Sequence, residues 1–291
     1  MTLEQLRIFL AIARREHVSQ AARDLRLTQS AVSGALQALE TRHKVRLFDR
    51  IGRGVRLNAA GRAFMAEAEA VLGRAKAAET ALEDLSEMRR GRLAVRATPT
   101  IANYWLPRRL AAFRAAHPGV ELAVEIGETA SVVRATADGE AELGFAGVAA
   151  AESFLSSTAV GRDQLILVAP AGHLWARQSP LAGPDLLAET WIMRETGSGT
   201  RETLQEGLRA AGVSPEALSV SLTLPSNEAV LSAVEAGGGV SALSECIALP
   251  AVKAGRLVHA PFALPARSFF LLRRTGGYLT RAASAFIDSL N

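Results

Sequence analysis

The sequence predicts an α+β chain of more than one domain: a small helical N-terminal unit closed by a hairpin, one long helix, and a larger α/β unit. Three observations predict it. At 291 residues the chain exceeds the ~100 to 200 residues expected of a single domain. Its apolar periodicity is helical as far as residue 90 and changes to alternating strand and helix signals after Gly91. Its charge is unevenly divided: residues 1–62 carry 12 Lys+Arg against 5 Asp+Glu, a net +7, whereas the rest carries 21 against 24, a net −3.

The first apolar run, Leu6 to Ala13, reads as a helix. It is far shorter than the ~20 residues of a membrane span, contains Arg7, follows Glu4 and lacks a cleavage-site pattern. Ser19 is placed to cap a second helix with Ala21, Ala22 and Leu25 inward, and after the turn Arg26-Leu27, Thr28 is placed to cap a third. Within the third helix Val32, Leu36 and Leu39 share one face and leave Gln29, Ser33 and Gln37 aligned on another. That second face is polar and uncharged. Side chains that both donate and accept suit base edges in a major groove, while arginines suit phosphates. Arg42, Lys44, Arg46, Arg50, Arg53 and Arg56 follow, with Gly52 and Gly54 bracketing Arg53 at what reads as a hairpin tip able to reach a nucleic-acid backbone. The alternative is a plain solvated face. The confinement of positive charge to this unit argues against it, because phosphate attraction requires such a field.

Residues Ala59 to Arg90 predict one long alanine-rich helix, with Asn58 available as a cap and Gly91 just past its end. Phe64, Ala68, Val71, Ala75, Ala78, Leu82 and Leu85 are spaced alternately four and three, which makes a heptad seam on a rod of roughly 45 Å. So narrow a strip needs a partner helix. The alternative is that it packs on its own chain.

After Gly91 the alternating signals predict a parallel-sheet α/β unit. Strands are expected at 93–97, 120–126, 141–145, 165–169, 220–224, 240–243 and 268–272, with helices near 107–116 and 131–137 and a closing helix that turns Ala283, Phe286, Ile287 and Leu290 inward. There is no internal repeat. Cys246 is the sole cysteine, so no internal disulfide forms, and the five histidines lack metal-ligand spacing. The glycines at 197 and 199 lack the lysine of a phosphate-binding loop, and Ser198 lacks the glycine of a nucleophile elbow. No enzyme, metal site or cofactor is expected.

The run Leu3 to Phe9 (LEQLRIF), with Ser19-Gln20-Ala21-Ala22, Thr28 to Ser33 (TQSAVS), Leu39-Glu40, Leu47 to Arg50 (LFDR) and Leu57 to Gly61 (LNAAG), resembles the winged helix-turn-helix of LysR-type transcriptional regulators. The sequence departs from that pattern at Gly34, where many relatives carry arginine, and at Asn58, where threonine is usual. Gly34 marks either a close backbone approach or a smaller set of phosphate contacts. The resemblance covers nearly the whole chain. It implies a winged helix-turn-helix at 1–58, a linker and dimerisation helix at 59–90, and a two-lobed α/β effector domain like a periplasmic binding protein at 91–291, with lobe I formed by 91–161 and 266–291 and lobe II by 162–265. It further implies a cytoplasmic homodimer or homotetramer on double-stranded DNA whose bend and contact with RNA polymerase respond to a small molecule. The DNA-binding residues would be Ser19, Thr28, Gln29, Ser30, Ala31, Ser33, Gln37, Arg50 and Arg53. The competing reading is an architectural DNA-binding protein without a ligand.

In such sheets ligands sit beyond the carboxyl ends of strands, where helix N-termini favour anions. Four segments fit. Thr98-Pro99-Thr100, Gly127-Glu128-Thr129, Gly197 to Arg201 and Ser226-Asn227 each follow a strand-like run. Thr98, Thr100, Glu128, Thr129, Ser198, Thr200, Arg201, Ser226 and Asn227 are therefore the candidate effector residues, for a carboxylate or an oxyanion such as sulfate or phosphate. The runs 98–107, 197–201 and 226–230 resemble the branch of the family that regulates sulfur assimilation and carbon fixation. Glu128 stands where asparagine is common in that branch and would repel an anion unless Arg194 or Arg201 pairs with it. The serines and threonines could equally be ordinary caps, and Arg201 could form an ion pair between lobes.

Overall fold

The computed structural model describes residues 1–52, 54–85, 91–177 and 180–290. They form two compact units, one ending with a long helix and the other containing all later elements.

In the first unit, helix α1 (Leu3–Arg15) opens with a reciprocal cap: the Gln5 N–H donates to Thr2 Oγ1 at 3.2 Å and the Thr2 N–H to Gln5 Oε1 at 3.0 Å. Glu16 then turns the chain at φ 50°, so α2 (Val18–Leu25) starts directly after His17. The expectation that Ser19 caps α2 is therefore corrected. Ser19 lies inside the first turn, and its hydroxyl donates to Gln29 Oε1 at 2.9 Å. Arg26 makes the second turn at φ 56°, and Thr28 caps α3 (Gln29–His43) as expected, its Oγ1 accepting from the Ala31 N–H at 3.2 Å. Strands β1 (Phe48–Ile51) and β2 (Gly54–Leu57) form the expected hairpin, with Ile51 opposite Gly54 and Gly52 at φ 56°. Arg53, expected at its tip, lies outside the described residues. The Val55 N–H donates to the Glu16 carbonyl at 3.1 Å and ties the hairpin to the α1–α2 turn. Leu6, Phe9, Ile12, Ala21, Val32, Leu39, Leu47 and Leu57 form the core.

Helix α4 (Ala59–Leu85) is capped by Asn58, whose Oδ1 accepts from the Gly61 N–H at 2.9 Å while its Nδ2 donates to the Arg46 carbonyl at 2.9 Å. Residues 86–90, where the helix was expected to continue, lie outside the described residues. The seam divides. Phe64 and Ala68 pack into this unit's own core, Phe64 lying 5.0 Å from Phe9, so the expectation that the whole seam meets a partner is corrected for its first two layers. Further along, Leu82 and Leu85 stand 68% and 62% exposed.

The second unit is built on a long strand, β6 (Leu155–Pro170). In the first lobe, β3 (Arg92–Ala97) lies between parallel neighbours β4 (Glu121–Ile126) and β5 (Leu143–Ala146). Strand β11 (Ala266–Arg274) adds antiparallel to β5 and to β6, where Ala266 faces Gln164. From Leu165 onward β6 pairs instead with β9 (Ser241–Ser244) and β10 (Leu257–Ala260), both antiparallel. A parallel pair, β7 (Thr190–Arg194) and β8 (Ser219–Leu224), completes the second lobe. The sheets are thus mixed, which corrects the all-parallel expectation: β6 and β11 carry the chain between lobes in opposite directions, so they cannot both run with their neighbours.

Helices α5 (Leu106–Ala116) and α11 (Arg281–Asp288) cover the first lobe, where Phe113 meets Phe286 edge-on at 5.2 Å. A π-helical turn, Ile101–Trp105, precedes α5, and α6 (Thr129–Asp138) follows β4. In the second lobe, after the short α7 (Gly183–Leu187), alternate residues of the strands face opposite layers. Leu165, Leu167, Trp191 and Met193 pack with α8 (Gly199–Ala210), while Ile166, Val168, Ile192 and Leu243 pack with α9 (Asn227–Glu235) and α10 (Glu245–Lys253). Among the described residues, no helix is long and apolar enough to cross a membrane and no cluster could hold a metal ion.

Candidate functional site

In the first unit, α3 turns Val32 and Leu39 into the core, and this orientation leaves Gln29, Ser30, Ala31, Ser33 and Gln37 exposed. The serine and glutamine groups are partly ordered before anything binds. Ser19 holds Gln29, and Thr28 Oγ1 lies 3.1 Å from Ser30 Oγ. Arg42, Lys44, Arg46, Arg50 and Arg56 are exposed beside this helix or on the hairpin, and none has an ion-pair partner among the described residues. The arrangement can offer amide and hydroxyl groups to base edges and uncompensated cations to phosphates. Gly34 lies open, with nothing within 4 Å of where a Cβ would stand, so no close backbone approach within the chain accounts for it.

The second unit carries a narrow, solvent-connected cleft between its lobes. The ends of β3, β4 and β7 bring Thr98, Thr100, Glu128, Thr129, Ser198 and Thr200 to its walls, with Arg194, Arg267 and Phe269. Thr98 and Thr100 follow β3, Glu128 precedes α6, and Ser198 to Thr200 enter α8, whose first N–H groups point outward from a twelve-residue helix.

Three expected residues do not line the cleft. Arg201 bends back, its Nη1 donating to the Arg194 carbonyl at 2.8 Å, and among the described residues it does not form the alternative ion pair between lobes. Ser226 caps α9, accepting from the Ala229 N–H at 3.0 Å. Asn227 is buried behind the wall, where its Oδ1 accepts from Arg194 Nη1 at 2.8 Å and its Nδ2 donates to Thr100 Oγ1 at 3.1 Å. It joins the two lobes.

Two guanidinium groups set the electrostatics. Arg194, 4% exposed, donates through Nε and Nη2 to Glu195 at 2.8 and 2.7 Å, and its Nη2 lies 3.8 Å from Glu128. The paired guanidinium holds the Glu195 carboxyl below the usual carboxylate range. Glu128 goes the other way: burial pushes its carboxyl up, Arg194 opposes, and Glu195 and Glu202 add to the rise. Arg267 is held by Asp163, with Nε and Nη2 at 2.8 and 2.7 Å from Oδ2, and Ser244 Oγ donates to the other carboxylate oxygen. The remaining nitrogen, Nη1, lies 3.7 Å from where a Cβ on Gly199 would stand, an ordinary contact distance. Arg267 and Asp163 were not foreseen. They oppose each other in the β11–β6 register, and only that register reveals the pair.

The π-helical turn supplies two more links between lobes. Asn103 Nδ2 and the Tyr104 hydroxyl donate to Glu228 Oε1 at 3.2 and 3.0 Å. Burial and the Glu228 carboxylate push the Tyr104 hydroxyl up to about 12.

Comparison with known proteins places each unit. Residues 3–62 match the family of bacterial regulatory helix-turn-helix proteins of the lysR type, and residues 86–291 match the LysR substrate binding domain. The chain is 32% identical to the RuBisCO operon transcriptional regulator of Allochromatium vinosum, over 98% of this chain and 94% of that one. It is also 32% identical to the regulator CbbR of Rhodospirillum rubrum, over 99% and 95%. Among solved structures, full-length CbnR complexed with its target DNA covers 100% of this chain and 99% of its own, with a TM-score of 0.74 at 21% identity. The regulatory domain of CcmR from Synechocystis PCC6803, in complex with 2-PG, covers 69% of this chain and 96% of its own, with a TM-score of 0.63 at 27% identity.

Proposed function

The chain belongs to the LysR family of transcriptional regulators, with an N-terminal DNA-binding domain and a C-terminal effector-binding domain, and from that premise we propose that a small anionic molecule in the interlobe cleft is its effector. The observation that carries this is the convergence on one cleft of five hydroxyl side chains, the N-terminus of α8 and a guanidinium group, Arg267, held from behind. Oxyanions and carboxylates are recognised by such donors. That CcmR is described in complex with 2-PG supports the class of ligand.

In this reading Gln29, Ser30 and Ser33 read bases, Ser19 and Thr28 order them, and Arg50 with Arg53 grips the backbone. The exposed layers of α4 pair two copies of the chain, and pairs assemble into tetramers. Effector binding draws on the lobe contacts made by Asn227 and Glu228, changes the closure of the effector domain, and through the assembly alters DNA bend and contact with RNA polymerase.

The test is thermal unfolding of the full chain with sulfate, phosphate and 2-phosphoglycolate, beside a Thr98→Ala/Thr200→Ala variant. Stabilisation by at least one anion that disappears in the variant, with DNA affinity unchanged, is expected. Equal stabilisation of both proteins would place anion binding elsewhere.

A further inference from the structure

The cleft contains one acid more than its cations engage. Glu195 occupies Arg194 through two hydrogen bonds, and Asp163 occupies Arg267 in the same manner. Glu128 is left over. Its carboxylate lies 3.8 Å from Arg194 Nη2, outside hydrogen-bonding range, and its side chain is 44% exposed toward the cleft that it lines. Two guanidinium groups therefore face three carboxylates, and Glu202 on α8 adds a fourth negative charge near Glu128.

A plain oxyanion fits only half of this environment. At the threonines and Arg267 it finds donors, but within the same small volume it meets Glu128, whose ion-pair partner Arg194 is already hydrogen-bonded to Glu195. A surplus negative charge in a confined polar site disfavours like charge and recruits a positive one.

We propose that the cleft selects a small zwitterion of amino-acid type: its anionic group on Thr98, Thr100, Thr200 and Arg267 Nη1, and its cationic nitrogen on Glu128. Glu128 is then the specificity-determining residue that turns an anion cleft into one for molecules carrying both charges. This rests on the cleft being the effector site.

Titration calorimetry of the full chain and of Glu128→Gln tests it, with the twenty standard amino acids, their 2-hydroxy-acid counterparts, sulfate and phosphate as probes. Removing one negative charge should tighten binding of sulfate or phosphate about tenfold. At least one amino acid should bind the unaltered chain at least tenfold more tightly than the variant, and more tightly than its hydroxy acid. If sulfate and phosphate bind both proteins alike, or no amino acid prefers the unaltered chain, the zwitterion proposal is overturned while the anionic effector site stands. If no probe of any kind binds either protein, the effector-site reading fails and the proposal fails with it.

Discussion

Two glycines of the DNA-binding unit show how differently one residue type can matter. A Cβ on Gly61 would stand 2.1 Å from the Leu47 carbonyl oxygen, a contact that no rotamer change can relieve because the obstacle is backbone. A Cβ on Gly34 would meet nothing within 4 Å, and the residue sits inside α3 where glycine is a poor helix former. Gly61→Ala should therefore destabilise this unit by at least about 2 kcal/mol, and Gly34→Ala should stabilise it by about 1 kcal/mol. Denaturant melts of the full chain followed by hydrogen exchange in α3 measure both, and a neutral Gly61→Ala would contradict the close packing of α4 on Leu47. Glu128 makes the second prediction at this scale. Its carboxyl is raised by burial first; Arg194 opposes, and Glu195 and Glu202 add to the rise. Ionising it therefore costs stability. Its contribution is full below the ordinary value of 4.5 and is lost as pH rises through the higher folded value. Sulfate affinity should fall across that same window and stay flat there in Glu128→Gln; a matching fall in the variant would assign the dependence to another group.

At the scale of elements, DNA binding in the proposed reading is divided between α3 and the hairpin. Gln29→Ala with Ser33→Ala should reduce discrimination between target and random duplex by about 1 to 3 kcal/mol, leaving the salt dependence as it was. Arg50→Ala should weaken both duplexes alike and reduce the salt slope by about one. Binding assays over a range of salt concentrations separate the two, and loss of specificity in Arg50→Ala would overturn the division. Helix α4 makes its own prediction: with Leu82 and Leu85 exposed and unpartnered, changing both to Asp should give monomers by sedimentation. An intact dimer would remove this seam from the interface. Legibility in the sequence also varied by element. Thr28 as a cap, the Gly52 hairpin and the strand ends bearing Thr98, Thr100 and Thr200 were readable because each depends on local chemistry. Arg267 and Asp163 were not, because they meet through pairing of strands over a hundred residues apart. The Arg201 bond to the Arg194 carbonyl was not readable, because a first-turn arginine can fold back onto a preceding carbonyl as readily as it can face outward, and spacing cannot distinguish the two. The α4 seam misled at its start because a heptad pattern does not say whether Phe64 faces a second chain or Phe9.

For the whole molecule, we propose that the interlobe cleft and the DNA-reading face are energetically coupled. Asn227 ties Arg194 of the second lobe to Thr100 of the first, and Glu228 receives Tyr104 and Asn103, so in the proposed reading a ligand at Arg194 and Thr100 would change what holds the lobes together. Coupling of this kind is reciprocal: an effector that alters DNA affinity by some factor must have its own affinity altered by the same factor when DNA is bound. The most direct test is a paired titration of the full chain on the DNA flanking its own gene. Effector affinity is measured with and without DNA, and DNA affinity with and without effector, using the tightest-binding probe of the anion and amino-acid panel. We predict equal factors in the two directions, both abolished by Thr98→Ala/Thr200→Ala. Affinities that ignore each other would contradict the account.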